Sequence, residues 1–316
     1  MRGLALLAVM LAFPAPAETV FISNEVSNVV HVIDGVSGRR ITDIAVGKRP
    51  RGMAMSPDHR TLYVAASDDD CIDMIDVATR KVVGRIMSGP DPEAFAVSSD
   101  GTQLFVSNED DAAASFIDVA SRKVTREVAI GVEPEGMAVS PDGSLVVATS
   151  ESSSMVHLID RASGQLLDNL PVDTRPRYAA FTPDGKTLWV SSEARGTVTL
   201  FDVATHLRKG SIDFETAALA DIVQPVGIAF TRDGRRAFVA LGRGNIVAEV
   251  DPASLKIVRS FQVGQRAWQI APSPDDRRLY AANGLSGDLT EIDLVANRPA
   301  RTIALGGKPW GVVVAP

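Results

Sequence analysis

Seven returns of one phrase predict an all-β protein, a seven-bladed β-propeller. The phrase runs roughly Pro-x-Gly-x-Ala-x-Ser-Pro-Asp-Gly, then an apolar strand, then Ile-Asp-Val. Its closing aspartate falls at 34, 76, 118, 160, 202, 251 and 293, a period of 42 residues with one step of 49. A second series keeps the same register: Pro50, Pro92, Pro134, Pro176, Pro225 and Pro309 open six units, and Ala267 opens the other. A period of ~40–50 residues that holds several short strands is the pattern of a propeller.

One unit shows the strands. Met137–Ser140 is apolar and ends at Pro141-Asp142-Gly143, a tight-turn signal. Leu145–Thr149 returns as a second strand, Met155–Asp160 makes a third, and Gln165–Val172 a fourth after the turn Arg161–Gly164. Four antiparallel strands make one blade. The two ends are expected to share a blade. Gly311–Ala315 reads as a first strand and Thr19–Ser23 as a second, so pairing them closes the ring and removes free sheet edges. The seven extra residues lie within Phe214–Val223, between a fourth strand and the next first strand. Insertions in regular repeats map to loops on one face, often the binding face; a short turn capping apolar surface is the other reading.

Residues 1–17 read as an export signal. Arg2 precedes the apolar run Leu4–Phe13, and Ala15-Pro16-Ala17 fits small-x-small cleavage, so the mature chain is expected to begin at Glu18. The run is too short to span a bilayer. A periplasmic monomer with one domain over residues 18–316 and no membrane span is expected. A single cysteine, Cys71, permits no internal disulfide, so stability must come from burial. The net charge of −7 argues against nucleic acid as a partner. The four histidines have no metal-ligand spacing. The repeated aspartates are expected to bond turn amides rather than perform chemistry.

The stretches Leu62–Ala66, Leu104–Asn108 and Leu188–Ser192 resemble the second strands of YVTN-family propellers. The repeat wording, length and export signal resemble the propeller proteins associated with pyrroloquinoline quinone-dependent catabolism. That resemblance implies a non-enzymatic periplasmic accessory protein of quinoprotein-dependent alcohol oxidation. A lactonase-like or metal-assisted hydrolase is the first alternative, and a docking platform for a periplasmic dehydrogenase or cytochrome the second.

The repeat register places non-uniform residues around one mouth of the central channel. The position after the proline reads Arg51, Glu93, Glu135, Arg177, Val226, Trp268 and Trp310; the position before it reads Arg49, Asp91, Glu133, Arg175, Gln224, Arg266 and Lys308. The loop after the second strand adds Glu25, Glu109, Glu151 and Glu193. Arg49, Arg51, Glu93, Glu135, Arg175, Arg177, Arg266, Trp268 and Trp310 form the candidate ligand site. Arginine forks beside a tryptophan wall suit a small, flat polyanion such as pyrroloquinoline quinone. Glu93, Glu109, Glu135 and Glu151 offer the oxygens a calcium or lanthanide ion would need. Mutual Arg–Glu pairing at a solvated rim is the plain alternative. No residue is assigned as catalytic, because no nucleophile stands beside an evident base.

Overall fold

The computed structural model describes residues 18–217 and 219–316. Residues 1–17, read from the sequence as an export signal, lie outside the described residues. Seven four-stranded antiparallel sheets form the ring. Blade 1 joins Pro309–Ala315 to Thr19–Asn24, Val29–Asp34 and Arg40–Ala45, in that order. Blades 2 to 7 follow in chain order, each running from first to fourth strand, and begin at Pro50, Pro92, Pro134, Pro176, Ile228 and Ala267.

The closure is as expected. Thr19 pairs with Ala315, Val20 with Val314, Phe21 with Val313 and Ile22 with Val312. The core is divided in the same sevenfold way. Each apolar cluster joins facing sides of two adjacent blades, as Trp189, Ile212 and Val239 join blades 5 and 6, and Val20, Tyr280 and Leu289 join blades 7 and 1. Middle strands buried on both sides explain why both faces of Leu104–Asn108 are apolar or small.

The repeated aspartates do what their turns require. Asp34, Asp76, Asp118, Asp160 and Asp202 each accept a hydrogen bond from the backbone N–H three residues on, at 2.6 to 3.0 Å. Bonds from the Thr79, Ser121, Ser163 and Thr205 hydroxyls, and then the backbone bonds, favour the carboxylates of Asp76, Asp118, Asp160 and Asp202 and hold them below the usual range; for Asp34 the backbone bond leads. In the insertion, Phe214 and Val223 are buried, and Leu219 and Ala220 pack on the cluster between blades 5 and 6. The insertion therefore caps apolar surface. It also walls a pocket of about 300 Å³ with Glu193, Glu215, Asp221 and Gln224.

Candidate active site at the channel mouth

Local backbone geometry aims the ring residues. In blades 2, 3, 4, 5 and 7 the pairing of first and second strands slips immediately after the opening residue, between Pro50 and Met53, Pro92 and Phe95, Pro134 and Met137, Pro176 and Tyr178, and Ala267 and Ile270. Blade 1 slips at the matching place, beside Trp310. Such bulges bend the strand and re-aim a side chain. The residue before the opening position adds a second turn: Arg49, Asp91, Glu133, Arg175 and Arg266 all have φ between 46° and 66°. That left-handed conformation is costly for side chains of this size. Hydroxyls of the preceding blade then pin the ring backbone. Ser23 Oγ donates to Arg51 O at 2.7 Å, Ser107 Oγ to Glu135 O at 2.8 Å, and Ser191 Oγ to Val226 O at 2.7 Å.

The side chains close on one another. Arg51 Nε donates to Glu25 at 2.7 Å, and its terminal nitrogen bonds Glu93. Arg49 holds the other oxygen of Glu93 at 2.7 Å and Asp91 at 2.8 Å. Across the mouth, Arg177 bonds Glu135, meets Glu151 at 2.9 Å and donates to Glu193 at 2.6 Å. Arg175 meets Glu151 at 2.5 Å, and Arg266 donates to Glu193 at 2.6 Å. Trp268 and Trp310 stack with centroids 6.1 Å apart. Arg266 lies 4.0 Å from the Trp268 ring, Arg177 6.0 Å from it, and Arg51 5.9 Å from the Trp310 ring. Charge and π contacts thus run from Glu135 through Arg177, Glu193, Arg266, Trp268, Trp310 and Arg51 to Glu93.

This is not a solvated rim. Glu93 is 0 % exposed, Glu193 2 % and Glu135 6 %. Burial pushes the Glu135 carboxyl well up, although Arg177 pulls it down. Burial also opposes the charge of Glu193, but Arg177 and Arg266 outweigh it and hold that carboxyl low. For Arg177 burial is again the opposing force, and the pull of Glu135, Glu193 and Glu151 raises its pKa. Arg266 ends lowered, mainly by burial.

Glu109 behaves differently. Burial first, then the charge of Glu93 and a hydrogen bond to it, push its carboxyl up to about 7. Its pKa therefore sits where one group can give and take a proton near neutrality. The four glutamates expected to share a cation do not gather. Asp91, Glu93 and Glu109 offer oxygens within 4.8 Å of one another. Glu135 and Glu151 go instead to the arginines of blade 5. Both oxygens of Glu93 are already held by Arg49 and Arg51. The forks of Arg51, Arg177 and Arg266 are likewise turned onto protein oxygens.

Fold and site define a propeller with a half-buried carboxyl, Glu109, its pKa raised to about 7 beside the buried Glu93 at one channel mouth. Residues 39–194 match the SMP-30/gluconolactonase/LRE-like region family. Among solved structures, the chain resembles the periplasmic gluconolactonase of Pseudomonas aeruginosa, 20% identical over 95% of this chain and 99% of that one, with a TM-score of 0.79. A putative 6-phosphogluconolactonase from Bacteroides uniformis is 16% identical over 95% and 100%, with a TM-score of 0.78. Kuenenia stuttgartiensis hydrazine synthase is 22% identical over 87% and 92%, also with a TM-score of 0.78. At such identities these likenesses speak for the fold. No curated protein sequence matches the chain.

The family match overturns the expectation of a non-enzymatic accessory protein for quinoprotein-dependent alcohol oxidation. Its span carries Arg49, Arg51, Glu93, Glu109, Glu135, Glu151, Arg177 and Glu193, nearly the whole charged part of the mouth. The strand wording behind that expectation concerns the scaffold, which the chemistry of the mouth does not share.

Proposed function

We propose that this protein is a lactone hydrolase working at the charged channel mouth. The observation that carries the reading is Glu109, a half-buried carboxyl held near neutrality beside the arginine-clamped Glu93, inside the segment that matches the gluconolactonase-type region. As carboxylate, Glu109 takes a proton from a water as that water adds to the lactone carbonyl carbon. The tetrahedral oxyanion is stabilised by the guanidinium of Arg51, whose charge Glu25 and Glu93 hold in place. Collapse breaks the acyl C–O bond, and Glu109 returns the proton to the ring oxygen. The product is the hydroxy acid. The YVTN-like second strands fit this reading, because they build the scaffold and leave the mouth free to vary.

The test is hydrolysis of γ-butyrolactone followed by acid release at constant pH. Glu109→Gln should lower kcat by roughly 10²–10⁴-fold, the usual yield of a positioned acid–base group. Full turnover by that variant would remove the reading. A metal-assisted form of the reaction has one observation behind it, the Asp91, Glu93 and Glu109 cluster. Activity abolished by a chelator and restored by calcium selects that form; indifference to both selects proton transfer alone. The segment 1–17 supports action outside the cytoplasm, and a secreted or periplasmic product that begins at Glu18 is the check.

A further inference from the structure

Below the ion ring the channel changes character. The residue two places after each opening position is Gly52, Ala94, Gly136, Tyr178, Gly227, Gln269 and Gly311 in blades 2 to 7 and then 1. Glycine alternates with a residue that bears a side chain, Ala94, Tyr178 or Gln269. The glycines sit where a Cβ would strike the next blade's backbone: Gly136 at 2.7 Å from Arg177 O, Gly227 at 2.7 Å from Trp268 O and Gly311 at 2.8 Å from Arg51 O. Seven is odd, so the alternation fails once, and Gly311 and Gly52 fall side by side. A cavity of about 80 Å³ opens in the channel at this level, lined by both glycines, Tyr178, Gln269, Trp310 and apolar side chains of blades 1 to 4 and 7, with no charged residue.

One buried polar group of this cavity, the Trp310 indole N–H, lacks a partner among the described residues, and the half-buried Tyr178 stands beside it in the lining. Trp310 is 6 % exposed and its Nε1 is buried without a hydrogen-bond acceptor. Tyr178 is held through its backbone by Ser191, while its phenol bonds nothing. Burial pushes that phenol's pKa up, which keeps it a neutral donor. A buried donor without an acceptor is costly, and an oxygen in the cavity would relieve that of Trp310 and offer the Tyr178 hydroxyl a partner.

We propose that this cavity is a subsite for a short neutral hydroxyalkyl arm of the ligand bound at the mouth, its oxygen held by Trp310 and Tyr178. Charge is excluded because no lining residue would balance it. The size admits roughly two or three heavy atoms, given about 30 Å³ per water-sized group. The inference rests on the lactone hydrolase reading only for the part of the ligand that stays in the ring.

The experiment follows the indole N–H signals of ¹⁵N-tryptophan-labelled protein, with Trp310→Phe identifying one of the three. Calorimetry in the Glu109→Gln background compares γ-butyrolactone with its γ-hydroxymethyl derivative. The hydroxymethyl lactone should bind about tenfold tighter and shift the Trp310 signal, as expected of one or two neutral hydrogen bonds. Tyr178→Phe should cut that preference about threefold or more. Ethylene glycol, the arm without a lactone, should shift the same signal at saturation. Equal binding of the two lactones with no glycol shift overturns the subsite and leaves the hydrolase reading standing. A glycol shift lost in Tyr178→Phe, with neither lactone binding, keeps the subsite and removes the lactone.

Discussion

Glu193 holds blades 5 and 7 to one charge balance, and neutralising it tests whether the mouth is a buried network. Its carboxylate accepts from Arg177 and Arg266, each at 2.6 Å, and lies 3.5 Å from Arg175. Glu193→Gln keeps the shape and removes the charge. Arg177 retains Glu135 and Glu151, but Arg266 is left with Gln224 as its side-chain acceptor and Arg243 as a nearby like charge. Breaking a buried pair from one side costs about 3–5 kcal/mol, because the remaining charge stays buried without compensation. For a chain of about 300 residues the unfolding entropy is roughly 0.6 kcal/mol/K, so the melting midpoint should fall by about 5–8 °C. Calorimetry and urea titration measure this directly. Adding Arg266→Met should recover part of the loss, and the cycle gives the coupling. A loss below about 1 kcal/mol, the scale of exposed ion pairs, would refute the argument that these groups are desolvated.

Three other outcomes are expected. Truncation after Gly307 removes the strand paired with Thr19–Asn24 and its buried Trp310 and Val312, and should abolish the single cooperative unfolding transition rather than lower it by a few degrees; an unchanged melt would mean the ring is not closed by that strand. With Glu109 as base, kcat/KM should rise with pH through about 7 and flatten in Glu109→Gln; because that folded-state pKa is raised, the same group binds its proton more tightly in the native state, so its contribution to stability is present at low pH and is lost as pH rises from 4.5 to about 7. His31 and His157 are held below the ordinary imidazole value mainly by burial, so the unfolded chain binds more protons and stability should fall as pH drops through 6.5; His157→Gln should reduce that slope in urea titrations from pH 7.5 to 5.

The blade count, the closure and the order of residues around the mouth are all periodic properties, and periodicity survives in a linear sequence. Register alone put Arg51, Glu93, Glu135, Arg177, Trp268 and Trp310 on one ring. What it left open was the pairing. Whether Glu135 faces Arg177 or solvent depends on a bulge and a left-handed residue, and neither leaves a mark in composition. Arg49-Pro50 even reads against it, since a residue before proline normally favours extended backbone. Glu109 was legible as a mouth carboxylate. Its surroundings were not, because burial and the approach of Glu93 depend on side-chain placement, while the equivalent Glu151 meets Arg175 and Arg177. Tyr178 and Gln269 were missed, although a signal existed. Both stand where neighbouring repeats carry glycine, and a large side chain at a glycine position must fill space that the others leave to the next blade.

The seam between Pro309–Ala315 and Thr19–Asn24 also sets a waiting time. The two strands are separated by about 290 residues, so blade 1 cannot be completed until almost the whole chain has emerged. At ~5–20 residues per second of synthesis that is roughly 15–60 s during which Thr19–Asn24 offers an unpaired edge. The edge reads Thr-Val-Phe-Ile-Ser-Asn, with no charge and no proline, which is the composition that recruits foreign strands. The yield of soluble protein should therefore depend on how soon this edge meets its partner, independently of how stable the finished ring is. Moving the Pro309–Ala315 strand to the front of the chain would turn the most distant pairing in the molecule into a local hairpin and remove the wait.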